Sequence, residues 1–334
     1  MTKVIKIALA ASVLAGGLSA NDVISGSGAS FPYSVYQKWL KAYNKDTGIK
    51  VDYISKGSSK GIKDAQARQV DFAGTDKPLS PKTLKKHGLY QFPGVVGAIT
   101  MGYNLPGVSN LKLSRSAIVA ISEGKLKYWD NKLITAENAG LKLPHQKLTF
   151  VHRSDGSGTT FNYTYFLSKV SKEWRHTYGA KKSLNWPGRQ NIGGNKNTGV
   201  ASLIKQTPYS VGYIDYADAK NNNIIMASVE NKAGNYIKPE LKAFQVAAAK
   251  ATLDPKKDFY AAIADPKGAN SYPIVAATFI LLPKEKPLMN KRVTKFYDWS
   301  YKNGQDIAKS LGYVPLPESL TAKIHKYWEE KGIK

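Results

Sequence analysis

KLTFVHRSDGSGTTFNYTYFL, residues 147 to 167, carries the run Arg153-Ser154-Asp155-Gly156-Ser157-Gly158-Thr159-Thr160. A cation, an anion, two glycines and four hydroxyls share eight residues between an apolar strand-like run and a helical one. Free amides at a helix start carry partial positive charge. Arginine adds a planar fork of N–H donors suited to an oxyanion. The stretch therefore reads as strand, anion-type loop, helix.

Three more turns of this composition each follow a strand-like run: Ser25 to Pro32, Lys56 to Gly61 and Gly74 to Pro78. Any one alone reads as a tight turn with a helix cap. Four at strand-to-helix junctions suggest a shared purpose. Together they offer backbone amides, the hydroxyls of Ser30, Ser58, Ser157 and Thr159, the Arg153 guanidinium, and the carboxyls of Asp76 and Asp155. That inventory suits a small tetrahedral oxyanion in a dry cleft.

Around these turns the chain alternates strand and helix patterns, which predicts α/β layering. Helices are expected over 33–48, 62–70, 114–129, 161–170 and 197–207, with two more at about 290–310 and 317–331. A strand is expected over 94–104 and a second long apolar one over 272–283. Two α/β units with anion-type loops suggest two lobes facing a cleft, because ligands of open α/β sheets sit beyond the strand carboxyl ends. Crossings between lobes are expected at 97–104 and 268–282. The expected boundaries are 21–100 plus 275–334 for one lobe and 101–274 for the other.

The chain has 334 residues, 42% of them hydrophobic, enough for a substantial core. Residues 1–20, MTKVIKIALAASVLAGGLSA, read as a signal peptide: two early lysines, a short apolar run, then small residues. The chain has no cysteine, so disulfides, thiolate metal sites and a lipid-anchored cysteine are excluded. Export without cysteine points to a periplasm. The net charge of +25, or +23 without Lys3 and Lys6, suggests an anionic partner or a solvated lysine-rich surface. No basic run, arginine-rich arm or zinc-finger spacing supports nucleic acid.

Enzyme readings fare poorly. Gly194 and Gly199 have P-loop spacing, but Val200 stands where lysine is required. Gly57 to Gly61 matches G-x-S-x-G and would make Ser59 a nucleophile. Only His176 or His325 would then satisfy the usual chain order, and neither lies in a recognisable motif. No metal-ligand spacing appears.

The four turns, in this order, resemble the periplasmic phosphate-binding proteins of high-affinity ABC phosphate importers. The likeness runs from about residue 23 to the end. It includes S-G-A-S-F-P-Y-x-V-Y-x-K-W, G-S-S-x-G, V-D-F-A-G-T-D-x-P-L-S, G-K-L-K-Y-W-D, R-x-D-G-S-G-T-T, V-G-Y-I-D-Y-A and T-F-I-L-L. The resemblance implies a two-lobed Venus-flytrap fold without catalysis or cofactor. It implies a monomer that hands inorganic phosphate to an inner-membrane ABC permease. Its ligand shell maps onto Ser30, Phe31, Ser58 and Asp76 in one lobe, and Arg153, Asp155, Ser157, Gly158 and Thr159 in the other. Ser30 departs from the threonine frequent in the family but keeps the hydroxyl. Within that shell Asp155 is expected to orient Arg153. An ionised Asp76 is expected to accept a hydrogen bond from the P–OH group and to exclude sulfate by a factor on the order of 10⁴.

Overall fold

The computed structural model describes residues 23–334. The expected signal peptide lies outside the described residues. Twelve strands follow in chain order: β1 Ile24–Gly28, β2 Val51–Ser55, β3 Phe72–Thr75, β4 Leu89–Asn104, β5 Lys112–Leu113, β6 Thr149–Arg153, β7 Asn191–Gly194, β8 Ser210–Asp215, β9 Ile225–Met226, β10 Ser228–Glu230, β11 Tyr236–Ile237 and β12 Val275–Pro283. Nine of them form one continuous sheet in the order β2-β1-β3-β12-β4-β8-β6-β7, with β9 also paired to β4. β11-β10-β5 make a small second sheet.

β4 decides the architecture. Its residues Leu89 to Ala98 pair antiparallel with β12, and Ile99 to Asn104 pair antiparallel with β8. One strand thus belongs to two half-sheets. The parallel trio β1, β2 and β3 lies on one side of the crossing, and parallel β6, β7 and β8 lie on the other. The returning chain meets the same point, where Ile99 N–H donates to the Ile274 carbonyl at 2.9 Å. The run LYQFPGVVGAITMGYN can serve as this central strand because it is apolar along both faces and buried almost throughout. Pro93 lacks an N–H for the ladder. It sits at a register shift opposite Thr278 and Phe279, a bulge that proline tolerates.

Helices cover the sheet with aromatic faces. Tyr33–Thr47 buries Val35, Tyr36, Trp39, Leu40 and Tyr43. Trp39 Nε1 donates to the Gly304 carbonyl at 2.8 Å, which ties this helix to the C-terminal region. Tyr36, Phe72, Phe92 and Trp328 surround Tyr297 or its ring neighbours, with edge contacts of 5.0–6.2 Å. Each such fully buried ring contributes about 1.5–3 kcal/mol from area alone.

Several boundaries differ from the expectations. The second helix is Ser58–Gln66, not 62–70, so the Ser58-Ser59-Lys60 turn forms its first turn. The helix expected over 161–170 begins at Gly158 inside the anion-type run and ends at Val170. The helix expected over 114–129 is Arg115–Ser122, capped by Ser114 and stopped before Gly124, whose φ is 66°. The C-terminal region holds three helices, Pro287–Asn303, Gln305–Ser310 and Glu318–Glu330, because Gly304 interrupts the first. Among the described residues no helix is long and apolar enough to cross a membrane.

Candidate functional site

The four turns meet at the carboxyl ends of β1, β2, β3 and β6. Gly57, after β2, has φ 84° and precedes the helix Ser58–Gln66. A Cβ there would lie 2.5 Å from Asp155 Oδ2, so glycine serves both the left-handed backbone and the close approach of the other lobe. Gly158 repeats the argument from the opposite side. Its Cβ would lie 2.5 Å from both Asp76 Oδ2 and Ser58 Oγ. Two hydrogen bonds close the seam: Ser59 N–H to the Gly156 carbonyl at 3.0 Å, and Asn162 Nδ2 to the Asp76 carbonyl at 2.7 Å. The conformation is a closed cleft.

Within this seam polar groups stand uncommitted. Ser30 Oγ is buried without a hydrogen-bond partner. Among the described residues no protein acceptor takes the N–H of Ser30, Phe31, Ser58, Gly158 or Thr159. Buried donors are normally paired, so five free amides from three helix approaches make a concentrated anion cradle. Not every expected donor is free. The Ser157 amide donates to the Lys182 carbonyl at 2.9 Å, and its hydroxyl oxygen caps the helix by accepting from Thr160 N–H at 3.1 Å. Ser157 keeps only its hydroxyl proton for a ligand. Phe31 is a buried wall whose carbonyl accepts from Tyr313 Oη at 2.6 Å.

Arg153 ends β6 and is 4% exposed. Its Nε and Nη2 grip Asp155 Oδ1 and Oδ2 at 2.7 and 2.6 Å. Nη1 donates to Asn197 Oδ1 at 2.9 Å and Thr159 Oγ1 at 3.3 Å. Asp155 therefore holds the fork, as the sequence suggested, and takes both of its tines. Four of its five N–H donors are thus committed, which leaves the guanidinium charge and one Nη2 N–H. Burial alone would raise the Asp155 carboxyl, but the Arg153 hydrogen bonds and charge together hold it below the usual carboxylate range. It stays ionised as the positioning partner of Arg153.

Asp76 faces it from the other lobe, 1% exposed. Thr278 Oγ1 donates to its Oδ1 at 2.7 Å, and Ser58 Oγ lies 3.3 Å from its Oδ2. Burial pushes its carboxyl up to about 7, against the opposing pull of Thr278, Arg153 and Ser58. This corrects the expectation of a fully ionised Asp76. Burial thus favours the protonated form of Asp76 far more than water does, which brings its titration into the neutral range.

Sequence reading missed four supports. Thr278 adjoins the β12 bulge, and a lone threonine in VAATFILLP was its only signal. Asn197 fixes Arg153, and Asn162 bridges the seam. Tyr213 on β8 accepts from Arg153 N–H at 3.0 Å and meets Thr160 Oγ1 at 2.7 Å. The hydrolase alternative finds no support. His325 pairs with Asp298 at 2.8 Å, and His152 with Asn191 at 3.1 Å. No histidine bonds Ser59 among the described residues. The lysine excess reaches the seam: Lys182 is depressed by burial first, then by Lys77 and Lys63.

A family profile described as a PBP superfamily domain matches residues 15–303. The phosphate-binding protein PstS of Pasteurella multocida is 44% identical over 312 residues, 92% of this chain and 90% of that one. The chain belongs to the PstS family. PstS of Haemophilus influenzae is 42% identical over 310 residues, 92% of each chain. Among solved structures, the phosphate binding protein from Stenotrophomonas maltophilia superposes with a TM-score of 0.72 at 19% identity, covering 91% of this chain and 93% of that one. A high affinity periplasmic phosphate-binding protein bound with phosphate gives 0.73 at 21%, over the same shares. At such identities the structural likeness speaks for the two-lobed fold alone.

Proposed function

We propose that the protein is the receptor of an ABC-type phosphate importer: it captures one inorganic phosphate between its lobes in the periplasm and presents it to the inner-membrane permease. The observation that carries this reading is the pairing, across one closed seam, of five uncommitted amides and a buried guanidinium with a single carboxyl poised near 7. The amides and Arg153 offset the charge of the anion, and Asp76 accounts for its proton. The ligand shell is Ser30, Phe31, Ser58 and Asp76 from the first lobe, with Arg153, Ser157, Gly158 and Thr159 from the second, and Asp155 behind Arg153. The lobes divide as 21–100 plus 275–334 and 101–274. The protein acts as an exported monomer without cofactor. The homologues' names and the site agree on binding without catalysis.

Neither half of the cradle replaces the water around a divalent anion by itself, so ligand binding requires closure. Small-angle scattering is expected to show a smaller radius of gyration in saturating phosphate than in its absence. Identical curves would contradict closure on the ligand.

A further inference from the structure

We propose that a groove beside the sheet crossing, on the face away from the cradle, is a second binding site. Its ligand is an aliphatic carboxylate, with an alkyl tail on an apolar floor and an acidic head among three lysines. The groove has a volume of about 640 Å³ and is walled by residues of the stretches 248–256 and 314–326, with Val96 of β4 at its base. That size lies within the roughly 300–1,000 Å³ of small-molecule sites. No residue of the phosphate shell lines it. Successive strand residues face opposite sides of a sheet. A side chain at Gly97 would point at Phe31 and Tyr313, so Val96 points away from the cradle.

The groove stands open because small and rigid residues line it. Helix Leu241–Ala248 runs out in Ala247-Ala248-Ala249-Lys250-Ala251, which brings little side-chain volume. On the other wall, Pro315 and Pro317 bring no N–H that needs a partner. Leu253, Val314 and Leu316, each buried, complete the floor with Val96. The two walls are tied together. Tyr327 Oη donates to Asp258 Oδ1 at 2.8 Å, and Gln91 Nε2 donates to the Asp258 carbonyl at 2.9 Å.

The rim is basic. Leu320, Lys323 and Lys326 lie three apart on helix Glu318–Glu330 and share one face. Lys256 stands on the other wall, in the 3-10 turn Pro255–Lys257. All three lysines are exposed, and among the described residues none has an ion-pair partner. Asp254 is the one acid in the lining, and its Oδ1 accepts from Lys256 N–H at 2.9 Å. A free inorganic anion would leave the floor unfilled, and a neutral lipid would leave the ammonium groups unpaired. An amphiphile with one anionic head satisfies both, and the lysine stems add apolar cover along its tail.

This inference is independent of the phosphate reading. Calorimetry tests it by titrating laurate, below its micelle concentration, into the full chain with and without phosphate. One laurate per chain is expected in both cases, with affinity falling up to about fourfold for each methylene removed in decanoate and octanoate. A triple variant, Lys256→Gln with Lys323→Gln and Lys326→Gln, is expected to bind about tenfold more weakly. These positions are exposed, so the fold is retained. Ala251→Trp, which fills the groove, should abolish binding. Glutamine at Lys38, Lys41 and Lys45 of helix Tyr33–Thr47 removes the same charge elsewhere and should change nothing. Equal weakening in both triple variants would reduce the effect to general attraction by a basic surface and overturn the proposal. Displacement of laurate by phosphate would put the carboxylate in the cradle and overturn it as well. So would a folded wild type that ignores laurate, including one that instead binds an acidic peptide through the same lysines.

Discussion

Arg153→Ala is expected to lower phosphate affinity by at least on the order of a hundredfold while leaving the protein folded. Removing one partner of a buried, hydrogen-bonded ion pair costs about 3–5 kcal/mol, largely because the other charge is stranded. Here the stranded group is Asp155, which lies beside the anion cradle and is normally neutralised through the 2.6 and 2.7 Å fork. The variant thus loses a positive charge and exposes a negative one in the same place. Asn197 and Thr159 lose their donor as well. Arg153→Lys restores charge but only one contact direction, so partial recovery is expected. Calorimetry measures both variants, and circular dichroism checks the fold. Wild-type affinity in the alanine variant would remove Arg153 from the site.

Asp76→Asn is expected to abolish a pH-graded exclusion of sulfate. Phosphate near neutrality carries a proton of its own, and sulfate carries none. Phosphate can therefore donate to ionised Asp76, whereas sulfate needs Asp76 to hold the proton. Because burial raises Asp76 to about 7, that proton is present below pH 7 and is lost above it. Sulfate competition against wild type should therefore weaken by about tenfold for each pH unit above this point. A fully ionised Asp76 would instead have given strong exclusion at all pH values near neutrality. The structure replaces that expectation with a graded one, and the reason is the dry environment, which a sequence does not display. In Asp76→Asn the amide donates to either anion at any pH, so the gradient should vanish while much phosphate binding remains. A variant that rejects sulfate with the wild-type pH gradient would clear Asp76 of any part in selectivity.

The parts of the site legible in the sequence were those written as local runs. Arg153-Ser154-Asp155-Gly156-Ser157-Gly158-Thr159 announced a strand end, a loop and a helix start in order, and the Arg153–Asp155 pairing spans two residues. Contacts between distant segments were less legible. Thr278 reaches Asp76 across 202 positions of chain because β12 returns beside β3, and nothing local in VAATFILLP says so. Asn162 looked like an ordinary helix residue, yet its amide bridges the lobes. Helix ends were misread where a polar turn and a helix start coincide. The Ser58-Ser59-Lys60 and Gly158-Thr159-Thr160 runs look like loops by composition, but free first-turn amides are what this site uses.

Equilibrium dialysis against labelled inorganic phosphate at neutral pH tests the central claim most directly. The predicted result is one phosphate retained per chain, recovered chemically unchanged, and lost in Arg153→Ala. Failure of the folded wild-type protein to retain phosphate, or equal retention by Arg153→Ala, would contradict the account.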